Sequence, residues 1–438
     1  EMEEDDASYG DDFFPEMNIT IRDPETGDRD NVFLGGDRYR GANLINVESE
    51  FLTFKADYNM DDHVYTIGYE SDNSDVVNLF IARYNAEVRF NSFEDYKIGK
   101  WSRLRIHEPY AGHDAVQSMA ADFEVEKKSL YIQDRWFVNS DLTVQYGLRY
   151  DSVLTPQAPD TNVNFVKEYG FSNASKFDFE VLQPRFSFNM DVSESLFGSS
   201  DRVVAATLRG GRGLFMGRIP RVWYGNAYSR TGATGDYRGW FSFNENASNF
   251  PGYMPVGSDP TAFWLTPPSK YVVPDGSNPY GVAQSTDPNF EAPSSWRTNI
   301  GLDMITQGGW DVTLEYNLDQ VRQAVFFRDL GFNRQGTLAD GRGVYGGRGD
   351  YNLTNTDEGA TEAWTLSTFK EFGDIKWYAG YTKMRATDIF ELTSAQSESS
   401  YSRSVRADGE NITAQRSNFM VEHKLISTLD YTTQLFGE

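Results

Sequence analysis

The chain has 438 residues, a formal net charge of -25 and no cysteine. Without cysteine there is no disulfide framework, thiolate metal centre or Cys nucleophile, which leans toward a bacterial source. The acidity argues against nucleic acid as a partner, because neutralising phosphates takes clustered Lys and Arg.

Phe 31, Tyr 25 and Trp 9 make the chain aromatic, yet its mean hydropathy is -0.56. No window approaches the ~18 apolar residues that a membrane helix needs. Many aromatics with few apolar runs suit strands that carry one greasy face, whether in a membrane or in a soluble all-β protein. At the N-terminus, EMEEDDASYGDD has neither a basic n-region nor an apolar h-region. It is no signal peptide, and a mature form or a fragment is the expectation. Its acidic run (Glu3, Glu4, Asp5, Asp6, then Asp11 and Asp12) has hard oxygens that suit calcium, but no EF-hand or RTX spacing. A solvated loop is expected there.

Period-two segments follow near 50–60, 63–71, 120–138, 141–152, 182–194, 203–216, 296–306, 310–327, 363–372, 375–387 and 415–436. They predict about eleven strands of membrane class. Met60-Asp61-Asp62, Asn139-Ser140, Gln307-Gly308-Gly309 and Gly373-Asp374 sit between consecutive segments, with the Gly, Asn and Asp that tight hairpins require. In the 141–152 segment Leu142, Val144, Tyr146, Leu148 and Tyr150 face one way, and Thr143, Gln145, Gly147, Arg149 and Asp151 the other. Ile300, Leu302 and Met304 share a face, as do Trp310, Val312, Leu314, Tyr316 and Leu318, and likewise Phe186, Phe188, Met190 and Val192. Ionised residues recur on the opposite face at Arg149, Asp151, Arg185, Asp191, Asp303, Asp311 and Glu315. A packed sandwich core has no place for that face, whereas a wide barrel puts it in a wet lumen.

The remaining connections are long, roughly 153–181, 217–295, 328–362 and 388–414. Short turns on one side and long loops on the other is the outer-membrane arrangement, with turns periplasmic and loops extracellular. The predicted fold class is therefore all-β, an antiparallel transmembrane β-barrel with long extracellular loops, and the predicted role is transport or a pore. Tyr150, Trp310, Trp377 and Tyr381 lie where interfacial aromatic girdles are expected. The C-terminal TTQLFGE reads as a turn leading to a further strand, so residues 1–438 are expected to be an incomplete barrel domain.

Sites of chemistry are scarce. His63, His107, His113 and His423 show no metal or triad spacing, and neither a cofactor nor an enzymatic activity is expected. The glycines of GGRGLFMG (210–217) sit in a strand pattern, where they relieve crowding rather than cradle a phosphate. Arg348-Gly349-Asp350 resembles an integrin-binding tripeptide and is read as chance. The recognition element is placed in the 217–295 loop. Its candidate substrate-binding residues are Trp223, Tyr224, Tyr237, Trp240, Phe241, Phe263 and Trp264, because aromatic rings lose little rotamer entropy on ordering and stack on many ligands. The same rings could equally pack a lid over the barrel mouth.

LQPRFSFNMDVSES (182–195), followed by VVAATLRGGRGLFMGRIPRVWYGNAYSRTG (203–232), resembles the barrel of Oar-type, OmpA-related TonB-dependent receptors. Asp340-Gly341-Arg342 with Tyr345 is similar to a loop of that family, and SLYIQDRWFVNSDLTVQYGLRYD to a hairpin common in TonB-dependent barrels. The resemblance implies a 22-strand barrel closed by an N-terminal plug. It also implies lipid and lipopolysaccharide around the barrel, and energy from TonB, ExbB and ExbD through a region absent here. A surface lipoprotein is a further candidate partner, and the substrate is left open among peptide, protein, glycan and metal chelate. The alternatives are a secreted soluble all-β carbohydrate-binding protein, or a surface adhesin or protein-export barrel.

Overall fold

The computed structural model describes residues 2–5, 15–84, 87–97, 101–105, 108–109, 120–198, 202–233, 235–236, 240–242, 283–347, 349–389, 392, 394, 396–403 and 413–433. Among them are eleven strands of nine residues or more. In chain order these are β1 (Asn43–Met60), β2 (His63–Phe80), β3 (Ala121–Phe137), β4 (Leu142–Leu154), β5 (Phe179–Asp191), β6 (Val203–Met216), β7 (Ser294–Thr306), β8 (Trp310–Asp329), β9 (Ala360–Phe372), β10 (Ile375–Asp388) and β11 (His423–Tyr431). Each pairs antiparallel with the next in one continuous sheet. No described helix is long and apolar enough to cross a membrane.

The four expected hairpin turns are present. Asp61, Gly309 and Gly373 take positive φ (51, 71 and 60°), and the Asn139 side chain accepts the N–H groups of Asp141 and Leu142, both at 2.9 Å. Part of the acidic N-terminal run is not the loop expected. Glu3, Glu4 and Asp5 pair with Asn46, Ile45 and Leu44 on the edge of β1.

Two strands outrun their expected lengths. β1 begins at Asn43 rather than near 50, and β2 continues to Phe80 rather than stopping near 71. The cause is an inversion of the side-chain pattern. In β3, Leu130, Ile132 and Trp136 are exposed on the outer face, and Ser129 and Gln133 lie on the inner one. Higher up, the outer face carries the exposed Asp122 and Glu124, and the inner face the buried Ala121, Phe123 and Val125. The switch falls on one cross-strand row, Ser71–Lys128–Ser152–Glu180. One row below, the outer residues are Tyr69, Leu130, Tyr150 and Leu182. Below that line the greasy side faces out, and above it the greasy side faces in.

Asp134 is one of the ionisable residues within the outer apolar band, in one cross-strand row with Tyr146, Phe186 and Arg212. It is 5% exposed on its side chain, with His63 Nδ1 at 2.8 Å and the Tyr146 hydroxyl donating to it at 2.8 Å. His63 itself is stacked between Tyr65 and Trp136. An ionisable group in such a band is costly unless neighbours satisfy it; here both partners meet Oδ2, and Oδ1 is buried with no hydrogen-bond partner among the described residues.

The inner apolar ends converge. Val76, Phe123, Val153, Phe179, Val181, Val325 and Phe327 come from five strands and meet in one buried cluster. The sheet must therefore curve around that cluster with its inner face concave. Close cross-strand contacts also use glycine. A Cβ on Gly68 would fall inside the Tyr131 ring on the neighbouring strand. Gly68→Val should cost about 1–3 kcal/mol through overpacking, read as a lower urea midpoint for the folded, heat-modifiable band on a gel. Gly336→Ala, where a Cβ meets nothing within 4 Å, should stay within about 0.5 kcal/mol of the parent. Equal midpoints for the Gly68 variant and the parent would contradict the packing described.

Candidate functional site

The concave face has two zones. The upper zone is a dry cap. Its centre is the helix α1 (Arg221–Ser229), which starts directly after Pro220. Tyr224, Ala227 and Tyr228 recur at i, i+3 and i+4, so one face of the helix is apolar. Tyr224 is 3% exposed, with its ring 4.0 Å from Phe177, and Tyr228 stacks on Phe123 at 4.5 Å. Burial pushes both phenols above their ordinary pKa. Polar contacts fix the ends of the helix. Arg221 reaches Asp72 at 3.2 Å and the Ser74 hydroxyl, both on β2, and the Tyr228 hydroxyl donates to the Gln157 carbonyl at 2.6 Å.

The other long connections lock onto this helix and each other. Asn162 caps a second helix, Val163–Tyr169, and its amide donates to the Thr231 carbonyl at 3.0 Å. The Tyr169 hydroxyl donates to Asp350 at 2.6 Å, and Asp350 also accepts the Ala283 N–H at 3.1 Å. Arg230 donates to Gln396 at 2.6 Å, and the Ser397 hydroxyl donates to Gln284. Asp350 is only 3% exposed. The acid of the Arg348-Gly349-Asp350 tripeptide is thus a loop tie, unavailable to a surface receptor.

Below the cap the wall is polar and cross-linked. Arg149 donates to Glu70 at 2.7 Å and to Asp151 at 3.0 Å. Arg209 donates to Asp303 at 2.7 Å and to Glu315 at 2.6 Å, and Thr313 donates to Asp303 at 2.8 Å. Asn299 donates to Asn317 at 2.7 Å. A cavity of about 920 Å³ opens on this wall, lined among others by Tyr131, Arg149, Arg185, Arg209, Phe215 and Arg297. The glycines of the GGRGLFMG stretch relieve crowding, as expected. A Cβ on Gly211 would lie 2.8 Å from the Phe186 carbonyl oxygen, and one on Gly213 would lie 3.0 Å from Arg185.

Of the candidate recognition residues, Trp223 and Tyr224 lie on α1, where Tyr224 anchors the cap and Trp223 packs against its core. The backbones of Trp240 and Phe241 pair with Arg105 and Leu104. Tyr237, Phe263 and Trp264 lie outside the described residues, as do His107 and His113. His423 meets the Tyr381 hydroxyl at 2.7 Å. Among the described residues, no three His, Cys, Asp or Glu side chains gather to hold a metal. Sequence reasoning flagged Arg149, Arg185 and Glu315 as inner-facing but missed Glu70, Arg209 and Arg297, whose partners depend on strand register.

A family model described as "Outer membrane beta barrel domain" matches residues 52–379, well over half the chain. The chain belongs to this family. It is accordingly a barrel protein of the Gram-negative outer membrane, and its outer apolar band faces lipid. Among solved structures, the outer membrane transporter YddB from Escherichia coli is similar at 12% identity and a TM-score of 0.49, over 95% of this chain and 44% of YddB. The siderophore receptor PirA from Pseudomonas aeruginosa is similar at 12% identity and a TM-score of 0.41, over 82% of this chain and 46% of PirA. The FrpB iron transporter from Neisseria meningitidis is similar at 11% identity and a TM-score of 0.41, over 78% and 37%. The barrel chain spans less than half the length of each. No curated protein sequence matches it.

Tyr224→Ala should open the cap without dissolving the barrel. Emptying so buried an aromatic site costs about 3–5 kcal/mol. Tryptic cleavage after Arg230 on intact cells should therefore speed up by about 100-fold or more, while the barrel keeps its heat-modifiable gel mobility. An unchanged cleavage rate would contradict the anchoring role.

Proposed function

We propose that the chain is the barrel part of an Oar-type TonB-dependent outer-membrane transporter. In this role residues 1–438 supply a large share of a 22-strand wall, and a plug and TonB-interacting segment belong to the rest of the protein. Extracellular loops capture the cargo, with Trp223, Tyr237, Trp240, Phe241, Phe263 and Trp264 as contacts and Tyr224 holding the lid they belong to. The cargo then passes along the wet wall, driven by TonB, ExbB and ExbD. One observation carries this reading: a charged, cavity-bearing wall lies beneath a cap built from interlocked loops. A passive pore has no use for a dry cap over its mouth, whereas a capture device has to close over what it takes. The buried Asp350 counts against adhesion through the Arg-Gly-Asp tripeptide.

The test uses the full-length gene in its own host, grown on a complex medium whose components are followed by mass spectrometry. At least one component should be consumed by the parent strain but spared by the gene deletion, by TonB depletion and by a deletion of residues 236–266. Consumption that persists without TonB, or no component that depends on the gene, would overturn the proposal.

A further inference from the structure

One row of the inner wall is laid out differently from its neighbours. Reading across β4 to β8, the residues paired side by side are Gly147, Arg185, Gly213, Arg297 and Asp319. Neighbouring strands lie ~4.8 Å apart. The two arginines thus stand roughly 10 Å apart at their backbones, with bare Gly213 between them. Phe215, the next inner residue along β6, lies between their head groups. The Arg185 guanidinium is 4.4 Å from the Phe215 ring centre and that of Arg297 is 5.6 Å away. The row lines the 920 Å³ cavity beneath the cap.

The arginines of this wall are not equally engaged. Arg149 and Arg209 are each held by two carboxylates. Arg297 meets Asp319 at 3.0 Å but keeps 64% of its side chain exposed. Arg185 makes no ion pair among the described residues. Its polar contact is a 3.2 Å donation to the Gln183 side chain, and the Phe215 face steadies it. A guanidinium braced on an aromatic ring keeps its remaining N–H groups directed in a fixed fork, which is the geometry that takes carboxylate or phosphate oxygens in pairs. The second arginine approaches from the other side of Gly213, whose missing side chain lets Arg185 and Phe215 lie across that position.

We propose that the Gly147–Arg185–Gly213–Arg297 row is an anion-binding site on the inner wall, which takes the carboxylate or phosphoryl group of a small molecule. Arg185 is the principal contact, and Arg297 shares itself between the ligand and Asp319. This deepens the transporter reading by giving the passage a preference for anionic cargo, and it rests on that reading only for the meaning of the site. Binding itself is measured on purified protein, so it stands or fails independently of uptake.

The experiment is equilibrium dialysis of the full-length protein in detergent with radiolabelled inorganic phosphate and, separately, succinate, at constant ionic strength held with chloride. One saturable site per protein is expected for at least one probe, and which probe binds tells a phosphoryl from a carboxylate ligand. Arg185→Gln should weaken binding by about tenfold or more, and Arg297→Gln by a smaller factor. Arg212→Gln, on the outer face over Trp296, should leave it unchanged. Heat-modifiable gel mobility confirms that each variant is folded. Binding that is the same in the Arg185 and Arg297 variants as in the parent would overturn the proposal. So would a parent that binds neither probe, the outcome expected if an acidic side chain from elsewhere in the protein already fills the row.

Discussion

A β-strand offers two faces, and lipid tolerates only one of them. Backbone groups in hydrocarbon must be paired within the sheet, and side chains that meet hydrocarbon must be apolar. This places Leu130, Ile132, Leu148, Tyr150 and Leu182 on the exposed outer face and leaves the inner face to Gln133, Arg149, Asp151 and Arg185. Where hydrocarbon gives way to water the demand reverses, and the strands reverse with it along the row Ser71–Lys128–Ser152–Glu180. Above that row a polar outer face is free of charge energetically, and the inner face can supply a core.

The cap follows from the reversal. Apolar inner residues from β2, β3, β4, β5 and β8 create a surface that water would leave costly, and α1 covers it with Tyr224 and Ala227. Burying such side chains contributes roughly 1.5–3 kcal/mol each, enough to organise loops whose regular elements are short. The loop ties through Asn162, Asp350, Arg230 and Ser397 then join four connections into one cap. Beneath it, cross-strand ion pairs satisfy most of the wall's charge. Arg185 and Arg297 remain turned toward the cavity, so the cap and the exposed cations occupy adjacent levels of one inner face.

Much of this was legible in the sequence because it is local. The eleven strands, the four tight turns and the assignment of faces in β4, β7 and β8 all follow from alternation over a dozen residues and from Gly, Asn or Asp at the bends. What resisted reading was non-local or depended on a change of phase. The upper half of β2 contains Ser71-Asp72-Asn73-Ser74-Asp75, which looks like a polar loop unless one knows that the outer face there meets water. Glu70 lies 79 residues from Arg149 and Glu315 lies 106 residues from Arg209 in the chain, and only strand register brings these pairs together. Trp223 and Tyr224 stood out as aromatic residues in a loop, but the sequence left open whether they greet a ligand or fasten a lid. Tyr224 packs against Phe177 in the buried cluster.

The phase reversal is most directly tested by single-cysteine spin labelling in lipid bilayers, which a chain without native cysteine permits. Labels at Leu130 and Ile132 should collide with dissolved oxygen and not with a water-soluble nickel chelate. Labels at Glu124 and Gln133 should meet the chelate, and a label at Val125 should be shielded from both. Nickel access at positions 130 and 132, or a label at 124 that behaves as they do, would contradict the division of these strands into a lipid-facing band below the row and a water-facing band above it.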